Sequence, residues 1–191
     1  MQRAGVPLTG EGAVRRIVLV GFMAAGKSTV APRLAQALGW RVLDVDAAIE
    51  AEGGQPVGYI IRTGGLPAFR TMEAELTGRL SSEGRVVVSP GGGWVSGPGY
   101  REVMDDAETR VIWLRISIEE ALRRAEQDPV ERPLLAGVDV KDAKSVKEEA
   151  ERLLAEREPL YAAADHVIDV DGRTVEDVVS DILAWLKTNI S

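Results

Sequence analysis

A lysine and a serine directly behind a glycine are the first residues in this chain that could do chemistry. The stretch 21–29 reads Gly-Phe-Met-Ala-Ala-Gly-Lys-Ser-Thr and fits the pattern G-x-x-x-x-G-K-[ST]. Its surroundings are those the pattern needs. Residues 17–20 are an apolar, mostly β-branched run that reads as a buried strand, and 27–38 reads as a helix with Val30, Leu34 and Leu38 on one face. The first turn of a helix leaves its backbone N–H groups unpaired, and the helix dipole favours negative charge there. A strand running into a glycine turn and then a helix start is therefore an anion site. The backbone of Ala24, Ala25, Gly26 and Thr29 would cradle phosphates. Lys27 would reach the outer phosphates of a nucleotide, and the Ser28 hydroxyl would ligate Mg²⁺. This is a Walker A sequence, or P-loop. Ala24 stands where such loops often carry glycine, and its methyl restricts the backbone.

Other residues could complete a phosphoryl-transfer site. Asp44 and Asp46 end a short strand over 41–43. At i and i+2 on an extended end their carboxylates point the same way, toward the phosphates, one for Mg²⁺ and one for a substrate. The alternative is that one of them only caps a helix over 47–50. Arg70, Arg132 and Arg157 lie in segments adjoining this end of the chain, and only a guanidinium offers a planar fork for carboxylate or phosphate. Arg132 in a polar stretch over 128–144 suits charge stabilisation on the transferring group. Asp46 could accept a proton from an attacking hydroxyl. Gly91, Gly92 and Gly93 follow an apolar strand over 85–89, where close backbone approach to a ligand is expected. Each also has a plainer reading: a solvated arginine, an ordinary turn, or an exposed Arg70–Glu73 pair at i, i+3 worth tenths of a kcal/mol.

The elements that must hold these residues alternate regularly. Further strands are expected over 110–114 and 166–169. Helices are expected over 66–80, 100–104, from Ser117 as cap to 127, over 145–164, and from Thr174 as cap over 175–186, with a helical turn at 57–61. Five strands alternating with helices imply an α/β fold, with a parallel sheet between two helical layers. The 191 residues suit one domain, and 45% apolar residues supply its core. Residues 1–14 read as a loose polar lead-in without a secretory h-region. The net charge is −7 and no basic stripe occurs, which argues against nucleic acid. There is no cysteine, so disulfides and thiolate–metal sites are excluded. The single His166 makes a histidine metal centre an unlikely reading and is itself taken as a plain strand-end residue. No apolar run reaches membrane length, so a cytoplasmic protein is expected.

Taken together, the stretch 21–29, Asp44 with Asp46, Phe69-Arg70 followed by Glu73, the three glycines, Arg132-Pro133-Leu134-Leu135 and Arg157-Glu158-Pro159-Leu160-Tyr161 resemble the shikimate kinase family. These are small P-loop kinases of the nucleoside-monophosphate-kinase type. The resemblance runs over roughly 17–186. It implies a three-layer αβα P-loop fold with sheet order 2-3-1-4-5, a small helical substrate-binding insertion over 46–82, and a short lid over 128–144. It implies transfer of the γ-phosphoryl of ATP to the 3-hydroxyl of shikimate, in aromatic amino-acid biosynthesis, by a monomer using Mg²⁺. Asp46, Phe69, Arg70, Gly91, Gly92, Gly93 and Arg157 would form the shikimate site. Lys27 and Arg132 would hold the phosphates, and Asp44 would act on Mg²⁺ through water. Arg124 and Arg173 are similar to the adenine-binding parts. Leu66, Ile61 and Trp94 depart from the family pattern near the acceptor. A gluconate kinase-like enzyme for another hydroxy acid, or a nucleotide-binding module without chemistry, are the alternatives.

Overall fold

The computed structural model describes residues 13–79, 84–127 and 143–189. Five strands, β1 Arg16–Val20, β2 Arg41–Asp44, β3 Val86–Ser89, β4 Thr109–Arg115 and β5 His166–Asp169, form one sheet in the order β2-β3-β1-β4-β5. Every neighbouring pair is parallel. The helices are α1 Lys27–Leu38, α2 Val45–Gly53, α3 Val57–Gly78, α4 Tyr100–Asp105, α5 Ile118–Gln127, α6 Ala143–Tyr161 and α7 Val175–Asn189.

Strand periodicity sorts the core into two halves. Ile17 and Leu19 of β1 and Ile112 and Leu114 of β4 face α1, α5 and α7. Val18, Val20, Val111 and Trp113 face the other way, toward α2, α3 and α4. Buried on both faces, the inner strands read as continuous apolar runs. Helix α6 contributes to both halves, through Leu153 on one side and Tyr161 on the other.

Three local expectations change. Strand β2 runs through Asp44 and α2 begins at Val45, so the two carboxylates do not share an extended end. Asp44 is the N-cap, accepting from the Ala47 N–H at 3.1 Å, while Asp46 sits in the first helical turn. The helical turn at 57–61 and the helix beginning at 66 are one element, α3, kinked at Gly65, whose φ of 81° leaves the helical range. Pro67 is tolerated because it opens the second half, where its missing N–H costs nothing. Helix α6 starts at Ala143 and ends at Tyr161, not over 145–164. A short 3₁₀ turn, Trp94–Ser96, follows the three glycines and was not foreseen.

Candidate active site

Because all five strands are parallel, their carboxyl ends open on one edge, and the loops after β1, β2 and β3 meet there. The loop after β1 turns through Gly26, whose φ of 90° an L side chain rarely adopts. Ala24 is the one non-glycine at positive φ among the described residues, at 57°. Its methyl thus sits in left-handed backbone, at a cost of about 1 kcal/mol. The Lys27 ammonium bends back over the loop and donates to the Gly21 and Phe22 carbonyls at 2.9 and 3.0 Å. It is held nine-tenths buried at the head of α1.

A cleft of about 820 Å³ opens from this loop. Ala24 and Gly26 line it from the loop, Lys27, Ser28 and Thr29 from the start of α1, Asp44 from the end of β2 and Asp46 from α2. Gly91 and Gly92 close one end, and Arg124 and Arg173 flank the other. Ala25 is buried beneath the loop. Arg124 is fixed by three elements: it donates to Glu120 at 2.7 Å, to the Ala24 carbonyl at 3.4 Å and to the Val170 carbonyl at 2.8 Å. Arg173 pairs with Asp181 at 2.8 Å.

Each of the three glycines admits a different neighbour. A Cβ at Gly92 would lie 3.2 Å from the Gly21 carbonyl oxygen, so this loop packs backbone-to-backbone on the P-loop. A Cβ at Gly93 would collide with the Arg70 guanidinium and lie 3.4 Å from Arg157 Nη2, so both arginine tips converge there. A Cβ at Gly91 would lie 3.1 Å from Glu73 Oε1 and 3.2 Å from Asp46 Oδ1. Two carboxylates therefore flank the point beside which two guanidinium groups meet. Arg157, from α6, is buried, and its Nη1 has no hydrogen-bond partner. Arg70, from α3, sits over the Phe69 ring at 5.4 Å from its centroid and is ion-paired with Glu73. A fork of two arginines, one with an unused N–H, suits a carboxylate ligand.

Burial pushes the Asp46 carboxyl up from its usual range, the Asp44 carboxylate adds to this, and Lys27 and Arg70 oppose it. Burial pushes Glu73 up more, to about 7, against the pull of Arg70. Ser28 is exposed to the cleft, and Asp44 spends one oxygen on its cap. An exposed hydroxyl and a half-buried carboxylate fit a Mg²⁺ that keeps most of its waters and phosphate ligands. No group of three or more potential ligands among His, Cys, Asp and Glu occurs among the described residues, so a closed protein cage for the metal is not built there.

A family model described as shikimate kinase matches residues 23–187. The chain is 39% identical over 180 residues to the shikimate kinase of Geobacter metallireducens, covering 94% of this chain and 96% of that one. To the shikimate kinase of Mycobacterium avium it is 42% identical over 172 residues, covering 90% and 93%. Its fold is similar to the structure of Acinetobacter baumannii shikimate kinase in complex with shikimate, with a TM-score of 0.82, 31% identity, and 92% and 94% of the two chains covered. The chain belongs to the shikimate kinase family. Membership agrees with the P-loop fold and the strand order expected from the resemblance.

Within this shikimate kinase fold, the plainer reading of one residue fails, and another residue was overlooked. Glu73 is not half of a surface pair: it is wholly buried, with its partner Arg70 also largely covered. Tyr161 carried no expected role. It is fully buried, stacked on Trp113 at 5.9 Å, and its hydroxyl donates to the Gly92 carbonyl. The available signal was its i+4 spacing from Arg157 on one face of α6. Trp94 turns away from the arginines into the core, where its indole N–H donates to Thr77 Oγ1 at 3.4 Å. Leu66 is exposed and Ile61 half-buried. Arg132 lies outside the described residues, as does the expected lid over 128–144 but for its last two residues. His166 stacks on Trp185 at the outer edge of the sheet, which agrees with a plain strand-end role.

Proposed function

We infer that this chain transfers the γ-phosphoryl group of ATP to the 3-hydroxyl of shikimate, giving shikimate 3-phosphate and ADP. The observation that carries the reading is the meeting of Arg70 and Arg157 at Gly93, next to Gly91 and Asp46, which line the same cleft as Lys27. In this reading the P-loop backbone and Lys27 hold the β- and γ-phosphates. Arg124 and Arg173 flank the base. Ser28, with Asp44 through water, would hold Mg²⁺, which would offset charge developing on the phosphates.

The shikimate carboxylate docks on the Arg70–Arg157 fork, with Phe69 behind Arg70 and the backbone of Gly91, Gly92 and Gly93 beneath the ring. Asp46 faces the hydroxyls, orients the attacking one and takes its proton as the oxygen bonds to the γ-phosphorus. Arg132 supplies positive charge from a lid over 128–144, and 46–82 forms the substrate-binding insertion. The protein works as a monomer in the cytoplasm, without nucleic acid or membrane. A net charge of −7 supports the absence of a nucleic-acid partner, and no helix among the described residues is long and apolar enough to cross a membrane.

A coupled ADP-release assay with and without shikimate tests the reaction. Shikimate-dependent turnover is expected. Turnover only with another hydroxy acid, or ATP binding without turnover, overturns the assignment.

A further inference from the structure

Glu73 is a buried carboxylate that the reaction just described does not use. Its side chain is 1% exposed. One oxygen, Oε2, accepts from Arg70, while Oε1 makes no hydrogen bond to the protein. The charged groups facing it come from three elements: Arg70 on its own helix α3, Asp46 from α2 and Arg157 from α6. The glycine loop on its remaining side offers only backbone. Oε1 and Asp46 Oδ1 lie against one point beside Gly91, and neither is satisfied by the protein. Two carboxylates and two guanidinium groups thus balance locally.

We propose that Glu73 is the proton-holding residue of the acceptor site, taking up one proton when the substrate carboxylate docks on Arg70 and Arg157. Docking adds a third negative charge served by the same two cations, and it competes with Glu73 for Arg70. Buried anions with too little countercharge neutralise by protonation. Of the two carboxyl groups Glu73 is the one to do so. It is wholly buried, whereas Asp46 is open to the cleft and faces Lys27. The group is already poised for it, because burial holds its carboxyl near 7 in the free protein. The balance is simple: a carboxylate and a solvent proton become a carboxylic acid, whose O–H at Oε1 can donate toward Asp46 Oδ1. Asp46 stays ionised and keeps its place as the acceptor for the reacting hydroxyl. Glu73 acts through Arg70 and Asp46, so it is a positioning residue.

The direction of the pH effect follows by linkage. A complex that binds more protons than its free components weakens as pH rises, by at most about tenfold per pH unit between the free and bound pKa values. This inference rests on the acceptor assignment above, and its test separates the two. Shikimate is titrated calorimetrically into the full-length protein at pH 7.5 and 8.5, in HEPES and in Tris, whose ionisation enthalpies differ. The wild-type protein is expected to take up roughly half a proton per shikimate at pH 7.5, and its Kd to weaken several-fold by pH 8.5. In Glu73→Gln the uptake falls to near zero and the Kd becomes flat over this range. In Asp46→Asn the uptake shrinks, because the Asp46 charge helps to hold the Glu73 carboxyl up, but it persists. A wild-type binding heat and Kd independent of buffer and pH overturn the proposal. So does uptake that survives in Glu73→Gln or vanishes in Asp46→Asn, and the second comparison holds even if Glu73→Gln does not fold. Absence of both shikimate binding heat and shikimate-dependent ADP release overturns the acceptor assignment itself, and this inference with it.

Discussion

Lys27, Asp46 and Glu73 carry three different kinds of consequence. The ammonium of Lys27 is held on two loop carbonyls at the wall of the cleft, where a positive charge can meet phosphate. Lys27→Ala is expected to lower kcat by about 10³ or more while circular dichroism stays native; unchanged turnover would sink the phosphate-binding role. Asp46→Asn preserves shape and one acceptor oxygen but removes the base, so kcat should fall further than KM rises. Arg70→Ala should do the reverse, raising KM for shikimate about ten- to hundredfold by leaving the carboxylate under-bonded. Steady-state kinetics on both variants separates the roles, and matching profiles would contradict them. Glu73 also bears on stability before any ligand binds. Its carboxyl rises from 4.5 to about 7 on folding. The stability tied to it is fully present below pH 4.5 and is lost as pH climbs through 7, on the order of 3 kcal/mol in total. Urea midpoints at pH 5 and pH 8 check this: Glu73→Gln should lack much of the wild-type fall, and an equal fall in both would place its source elsewhere. None of this was readable from an i, i+3 charge pair, because the same spacing occurs on any solvated helix face. Burial at Glu73 comes from α2, α6 and the glycine loop closing over it, and those are long-range contacts.

The elements show where local pattern suffices and where it fails. Valine-rich strands and the 3.6-residue stripe of α1 are set by immediate neighbours, and α1 spans the expected 27–38. Helix α3 was harder, because only a helical turn at 57–61 and a separate helix over 66–80 were expected, and in the fold only Gly65 breaks a helix that runs from Val57 to Gly78. The β2–α2 junction puts two functions on one residue. Asp44 caps α2 through Ala47 and also faces the cleft beside Ser28. Asp44→Ala should cost about 1 kcal/mol of stability through the lost cap. Asp44→Asn keeps an oxygen acceptor for the cap and so should cost much less. Both variants remove the charge, and both should weaken the apparent Mg²⁺ affinity in turnover assays. Thermal melts set beside Mg²⁺ titrations check the pair. If the two variants melt together, the cap is not what Asp44 contributes. If Mg²⁺ dependence is unchanged in both, its place in the metal site is wrong.

Across the whole molecule, one edge of the sheet collects groups from distant parts of the chain. Lys27 heads α1, Arg70 lies in α3 and Arg157 in α6, and only the parallel strand order brings their loops to the same end. That architecture was legible in the alternation of strands and helices, and the P-loop in nine consecutive residues. The convergence of Arg70 and Arg157 on Gly93 was implied by family resemblance alone, since no local rule relates residues 23 to 87 positions apart. The arrangement also makes ligands act as braces between layers. In the proposed reading a nucleotide would contact α1 and the ends of β1 and β5, while shikimate would join α3 to α6 and the glycine loop. A ligand at a hundred times its Kd adds about 2.7 kcal/mol. For a chain of this size that is a rise in Tm of roughly 5–10 °C. A non-hydrolysable ATP analogue with Mg²⁺ and shikimate should each raise the melting temperature alone, and their effects should combine. Arg157→Ala should cut the shikimate shift at that concentration to about half or less and keep the nucleotide shift, because Arg157 reaches Gly93. Lys27→Ala should do the opposite. If either variant loses both shifts, the two half-sites are not the separable parts of one cleft that their placement on different helices implies.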